Sequence, residues 1–256
     1  MTQAAFYIPA SKFLKAVVTW RRDLTPNLWV ARLQPERPVP FKAGQYVALG
    51  LPGAGKMIER AYSIVSAPHE TELEFFFELV PNGELTPRLY QVPVGGEVYM
   101  RRSAKGLFLL DEASGNPNHF MVATVTGVVP YVSMVRDLAW RVGQGRPVPE
   151  RLLVLEGASF SNELGYDREL IATARERRWL QYLPTVSRAW LDSAWAGERG
   201  RAEDVVRKYL DLYNWTASDT TAYLCGNPVM IENVRGILTR AGFPSGSIRE
   251  ELFWIA

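Results

Sequence analysis

Asn118-His119-Phe120-Met121-Val122-Ala123-Thr124, followed by Val125-Thr126-Gly127-Val128-Val129-Pro130, is the stretch on which the fold turns. The apolar run His119 to Thr124 has the length and composition of a buried strand. Pro130 then suits the first turn of a helix reaching Val142. The same alternation continues downstream: a strand at Leu152 to Leu155, a helix at Glu163 to Arg177, and a strand at Trp179 to Val186. A helix at Ala202 to Leu212, a strand at Thr221 to Cys225, a helix at Pro228 to Ala241 and an extended segment at Ile248 to Ile255 complete it. Strands alternating with helices predict an α/β domain, a parallel sheet with helices on both faces.

Upstream the periodicity is different. Phe13 to Trp20, Leu28 to Leu33, Tyr46 to Leu49, Arg60 to Val65, Leu73 to Val80 and Glu97 to Arg102 are short runs rich in aromatic and β-branched residues. Clusters such as Gln34-Pro35-Glu36-Arg37-Pro38 and Pro93-Val94-Gly95-Gly96 separate them. Six strands so punctuated predict a six-stranded antiparallel β-barrel. The polar stretch Glu112 to Asn118 marks the junction, giving an expected two-domain chain of residues 1–112 and 113–256.

Composition narrows the function. The 256 residues are 47% apolar and 22% charged, an ordinary globular mixture that argues against a disordered or fibrous chain. Lys plus Arg is 29 against 27 for Asp plus Glu, so the net charge of +2 argues against a dedicated nucleic-acid binder. One cysteine, Cys225, leaves no internal disulfide and no four-thiolate cluster within these residues. With only His69 and His119 besides, no metal site is expected. The start lacks the pattern of a secretory signal, and the longest uncharged stretch, Ala113 to Val135, is too polar for a membrane helix. A soluble, cytoplasmic, monomeric protein is expected, with no membrane partner.

Two stretches of the first half carry chemistry. In Arg60-Ala61-Tyr62-Ser63 the Arg can neutralise a pyrophosphate, and the Tyr two residues on shares its strand face. Taken alone, the same residues also fit an edge strand with a solvated Arg and a core Tyr. In Val80-Pro81-Asn82-Gly83-Glu84-Leu85-Thr86-Pro87 a turn feeds a short helix, with Thr86 expected as N-cap and Pro87 at the first helical position. In the second half, ligands of a parallel sheet sit beyond the carboxyl ends of the strands. That singles out Thr124 to Pro130, Glu156 to Ser161, Ser187 to Trp190 and Cys225 to Pro228.

Phe41-Lys42-Ala43-Gly44-Gln45-Tyr46, Arg60-Ala61-Tyr62-Ser63 and Gly83-Glu84-Leu85-Thr86 together resemble the FAD domain of ferredoxin–NADP reductases. Ala123 to Pro130, Pro184-Thr185-Val186-Ser187-Arg188, Cys225-Gly226-Asn227-Pro228-Val229-Met230 and the ending Arg249 to Trp254 fall in that family's order, most similar to the compact bacterial ferredoxin/flavodoxin reductases. The resemblance implies an FAD-binding first domain and an NADP(H)-binding second domain whose tail returns to the flavin. Arg60, Ala61, Tyr62, Ser63, Gly83, Leu85 and Thr86 would hold FAD, with Phe253 over the flavin and Trp254 near the adenine. Thr124, Thr126, Gly127, Gly226 and Pro228 would hold NADP(H), with Cys225 beside the nicotinamide and Arg188 and Arg201 toward the 2′-phosphate. Ser63, Cys225 and Glu251 would shape the reacting edge. The acceptor would be a separate ferredoxin or flavodoxin, transiently bound, for which Arg21, Arg22, Arg101 and Arg102 are candidate steering groups.

The chain also departs from the pattern. Val125 stands where the family usually has glycine, and Val129 where Gly or Ala is common. Valine reaches positive φ only at a cost, so a wider or weaker phosphate loop is expected. Ser159 stands where relatives place an Arg for the 2′-phosphate, so a preference for NADPH by a smaller margin is expected. Two other readings stay open: the reductase component of an oxygenase-type system, and a flavin-binding sensor with little pyridine-nucleotide activity.

Overall fold

A computed structural model describes residues 12–149 and 151–252. The chain divides into two compact units between Leu109 and Leu110.

The first unit holds β1 (Phe13–Thr25), β2 (Leu28–Pro35), β3 (Tyr46–Pro52), β4 (Met57–Ser63), β5 (Leu73–Glu78), the short helix α1 (Thr86–Tyr90) and β6 (Glu97–Arg101). The strands form one six-stranded sheet in the order β4-β3-β6-β1-β2-β5, with every pairing antiparallel. Alternate residues of all six strands feed a single core: Leu14, Trp29, Leu49, Ile58, Phe75 and Met100 are all buried in it. Past the end of β4 the chain joins the far edge, where the Val65 amide donates to the Glu74 carbonyl at 2.9 Å and the Glu74 amide to Ser66 Oγ at 2.8 Å. The chain leaving β4 is thus joined to the start of the other edge strand, β5.

The second unit holds β7 (Asn118–Thr124), α2 (Val129–Gly143), β8 (Arg151–Ala158), α3 (Asp167–Glu176), β9 (Leu180–Val186), β10 (Glu198–Arg199), α4 (Ala202–Tyr213), β11 (Thr220–Gly226), α5 (Pro228–Arg240) and β12 (Ile248–Leu252). Its sheet runs β10-β9-β8-β7-β11-β12 and is parallel throughout. One face, with Phe120, Val122, Leu153, Leu155 and Leu224, packs on α4 and α5 through Val206, Leu210, Ile231 and Val234. From β7 the chain steps outward to β8 and β9 on one side, then returns to β11 on the other. The crevice between the carboxyl ends of β7 and β11 is therefore the topological switch point of the sheet, where open α/β folds bind ligands.

Two local expectations are corrected, and one short strand is added. Thr86 is not a helix N-cap: the cap position is Leu85, and Pro87 falls second in α1. The Thr86 hydroxyl is already engaged in the preceding turn, accepting from the Val80 amide at 3.0 Å and donating to the Val80 carbonyl at 3.2 Å. The helix expected from Glu163 begins at Asp167, because the Glu163 carboxylate turns back to accept the Ser159 and Phe160 amides. The two-residue strand β10 escaped the sequence because so short a segment has no period.

Candidate functional site

At the switch point the chain is built for close approach. A Cβ on Gly127 would come within 2.3 Å of the Cys225 carbonyl oxygen and 2.8 Å of Gly226 Cα. Gly226 has φ of 125°, and a Cβ there would meet Thr124 Oγ1 at 2.3 Å. Only glycine fits at either position. The Thr124 hydroxyl accepts the Asn227 amide at 2.8 Å, so the Thr124 to Gly127 turn and the Cys225 to Pro228 turn are bolted together. The Asn227 side chain in turn caps α5, accepting from the Val229 amide at 2.8 Å and the Met230 amide at 3.4 Å. In the sequence, an Asn immediately before Pro228 is the N-cap signal that reveals this part.

Val125 shows what the missing glycine costs. It takes φ of 45°, one of two non-glycine residues with positive φ among those described. The β-branched residue itself takes the left-handed conformation, at a cost of roughly 1–3 kcal/mol. Packing against Ala158, Leu164 and Val186 holds it there. Val129 is an ordinary helical residue with φ of −51°. At the start of α2 the residue at the cap position, Val128, makes no side-chain cap bond. The first-turn amides of such a helix suit an anionic group.

Cys225 and Glu251 face each other in register across β11 and β12, and Cys225 pairs with Ala123 on the other side. The thiol is fully buried, and burial, then the Glu251 carboxylate, pushes its pKa well up. It therefore serves as a neutral, packed group rather than a nucleophile.

The carboxyl ends of β8 and β9 lie next along the sheet. Ser187 and Arg188 donate their amides to the carbonyls of Ala158 (2.9 Å) and Ser159 (3.1 Å), so the two loops run together. The exposed Arg188 guanidinium lies over the Phe160 ring at 5.5 Å. Arg201, also exposed, is at the N-cap of α4; its guanidinium is 3.9 Å from Glu203 and its amide donates to Asp204 at 2.9 Å.

In the first unit, Arg60 and Tyr62 share one face of β4. Arg60 is exposed, and its guanidinium comes within 3.7 Å of the Glu84 carboxylate, which brings it beside the Gly83 to Thr86 turn. Gly83 is tight: a Cβ there would lie 3.1 Å from the Val80 carbonyl and 3.3 Å from Thr86 Oγ1. Leu85 and Thr86 are buried beneath that turn. Tyr62 packs edge-on to Phe77 with ring centroids 4.9 Å apart, and burial raises its phenol pKa, so it stays neutral. Ala61 is exposed and Ser63, at the strand's end, is buried. Phe253 and Trp254 lie outside the described residues.

The candidate steering arginines are engaged within the chain, Arg22 over the Trp20 ring at 5.9 Å. Arg21 stacks over Tyr90 at 4.3 Å and Trp29 at 5.5 Å and bonds Asp23 and the Tyr90 carbonyl. Arg101 forms a two-pronged pair with Glu59 and covers the Phe13 ring at 4.5 Å.

A barrel carrying an exposed Arg beside a phosphate-compatible turn, followed by a parallel sheet with a glycine-lined switch point, defines a two-domain flavin and pyridine-nucleotide oxidoreductase. Family models agree: residues 15–108 match the oxidoreductase FAD-binding domain and residues 121–236 the oxidoreductase NAD-binding domain. The flavodoxin/ferredoxin–NADP reductase of Escherichia coli is 31% identical over 206 residues, 77% of this chain and 78% of that protein. The reductase component of a Pseudomonas phenol 2-monooxygenase is 31% identical over 245 residues, 94% of this chain and 66% of that protein. Among solved structures, the ferredoxin NADP+ reductase of Neisseria gonorrhoeae with bound FAD and NADP superposes with a TM-score of 0.83 at 24% identity, covering 95% of this chain and 99% of that one. The chain belongs to the ferredoxin/flavodoxin–NADP reductase family.

Proposed function

We propose that this chain is an FAD-dependent oxidoreductase that exchanges electrons between NADPH and a separate one-electron carrier, a ferredoxin or flavodoxin. The observation that carries this reading is the joining of Gly127 to Cys225 and of Thr124 to Asn227 at the switch point. That junction brings two backbone turns together, with no Cβ at Gly127 or Gly226, at the place where a pyrophosphate would approach.

Bound FAD would supply the redox chemistry, since no side chain of the protein carries two electrons reversibly. The protein's residues would bind and orient. In residues 1–112, Arg60 would neutralise the FAD pyrophosphate, assisted by Ala61 and the turn Gly83, Leu85 and Thr86. Tyr62 would lie against the flavin ring, and Ser63 would bond its edge; Phe253 and Trp254 would cover it from the tail. In residues 113–256, Thr124, Thr126, Gly127, Gly226 and Pro228 would cradle the NADPH pyrophosphate, and Arg188 and Arg201 would lie toward its 2′-phosphate. Cys225 and Glu251 would bound the nicotinamide, the thiol as a neutral filler and the carboxylate as a polar edge. A cytoplasmic, monomeric protein fits this reading, and no described helix is long and apolar enough to cross a membrane.

Anaerobic mixing with NADPH tests it: the flavin absorbance should bleach near neutral pH, and retention of the oxidised spectrum would end the enzyme reading. A second reading, the reductase component of an oxygenase-type system, is favoured by the 31% identity to the monooxygenase reductase across 94% of this chain. Electron delivery to a panel of purified ferredoxins, flavodoxins and oxygenase components separates the two.

A further inference from the structure

In a nucleotide-binding sheet, the group on the adenosine ribose is read at the carboxyl end of the strand that follows the phosphate loop. An acidic residue there takes a 2′-hydroxyl, and an Arg takes a 2′-phosphate. Here that strand is β8, and its end holds two carboxylates. Glu163 accepts the amides of Ser159 (2.8 Å) and Phe160 (3.1 Å). Asp192, from the loop after β9, accepts both the amide (3.1 Å) and the hydroxyl of Ser161. Ser161, donating twice, holds the Asp192 carboxyl below the usual carboxylate range. Three consecutive amides that could have met a phosphate are thus already satisfied by negative groups. Of the two cations nearby, Arg201 is opposed by Glu203 at 3.9 Å, and Arg188 lies over the Phe160 ring at 5.5 Å.

We propose that Glu163 and Asp192 are selectivity-determining residues that disfavour the 2′-phosphate, so that this chain takes NADH as well as NADPH. The inference rests on the pyridine-nucleotide reading of the switch point. Its physical basis is twofold. A dianionic phosphate would approach two fixed carboxylates, and it could displace them from their amides only by leaving them unpaired. A 2′-hydroxyl meets neither cost and can donate to a carboxylate.

The experiment is calorimetric titration of the FAD-loaded protein with 2′,5′-ADP and with 5′-ADP, which reads binding without turnover. The wild type should hold the two within about tenfold of each other. Asp192→Asn and Glu163→Gln together should shift the ratio about three- to tenfold toward 2′,5′-ADP. Ser159→Arg should shift it further. Asp192→Asn alone, on an exposed turn, should move it in the same direction where the Glu163 variant fails to fold. A wild-type preference for 2′,5′-ADP of about a hundredfold or more, or a ratio unmoved by the variants, would overturn the inference alone. Failure of both nucleotides to bind, with no flavin bleaching by NADH or NADPH, would overturn the enzyme reading and this inference together.

Discussion

At Gly127 the Cβ of any other residue would fall only 2.3 Å from the Cys225 carbonyl oxygen. Two turns from opposite sides of the switch point therefore meet backbone to backbone. Gly127→Ala must push β11 away from the start of α2 or distort the turn. Overpacking of this kind costs about 1–3 kcal/mol. Urea unfolding should show that loss, and pyridine-nucleotide affinity should fall with it while FAD content stays unchanged.

Val125 reverses the usual ranking of alanine over glycine in a loop. At φ of 45° an alanine keeps the left-handed cost that glycine avoids. Both lose the packing of the valine methyls against Ala158, Leu164 and Val186. Val125→Gly should therefore be more stable than Val125→Ala by about 1 kcal/mol. Thermal unfolding of the pair checks it, and the opposite order would mean the position does not hold its left-handed conformation in solution.

Glu156 makes stability depend on pH. It is fully buried on β8; its Oε2 accepts the Tyr182 hydroxyl at 2.7 Å and its Oε1 has no partner. Burial pushes its pKa up to about 8, against the opposing Tyr182 hydrogen bond. The folded protein then keeps a proton that the unfolded chain releases above about pH 4.5. Stability contributed at low pH is lost as pH rises from there through about 8, at up to about 1.4 kcal/mol per unit. Glu156→Gln keeps an acceptor for Tyr182 and removes the titration. Its stability relative to wild type should grow between pH 5 and pH 8 in denaturant titrations.

Arg21 is a packing residue, held by its contacts with Trp29 and Tyr90. Arg21→Ala should destabilise the barrel unit by about 1–3 kcal/mol through lost ring contact and the unpaired Tyr90 carbonyl. The salt dependence of electron delivery to an acidic carrier should not change. A flattened salt profile with unchanged stability would return Arg21 to a steering role.

Much of the architecture was legible in the residues themselves. The periods of two and of 3.6 residues, with the Pro and Gly clusters between them, predict an antiparallel half and an α/β half near Glu112, because each element buries one face or stripe of its own sequence. The motifs at Arg60 to Ser63, Thr124 to Pro130 and Cys225 to Met230 are contiguous, so they too can be read without coordinates. The valine at a glycine position was visible as a conflict.

Which way each conflict resolves is a tertiary matter. Whether the loop opens or Val125 bends to φ of 45° depends on neighbours from β8 and β9, more than thirty residues away along the chain. Thr86 abandons the helix cap because Val80 offers it two bonds. Arg21 and Arg101 spend their charge on aromatic rings and carboxylates brought close by folding. The carboxylates at the end of β8 come from residues 163 and 192, joined only once β9 lies beside β8. Sequence alone determined the two halves and the loops that follow their strands, since these rest on local period and spacing, while the cofactor roles of the motifs rest on the family resemblance. The pairing of charges, amides and backbone turns at those loops was decided by long-range packing, whose short-range forces act only between atoms that the fold has already brought together.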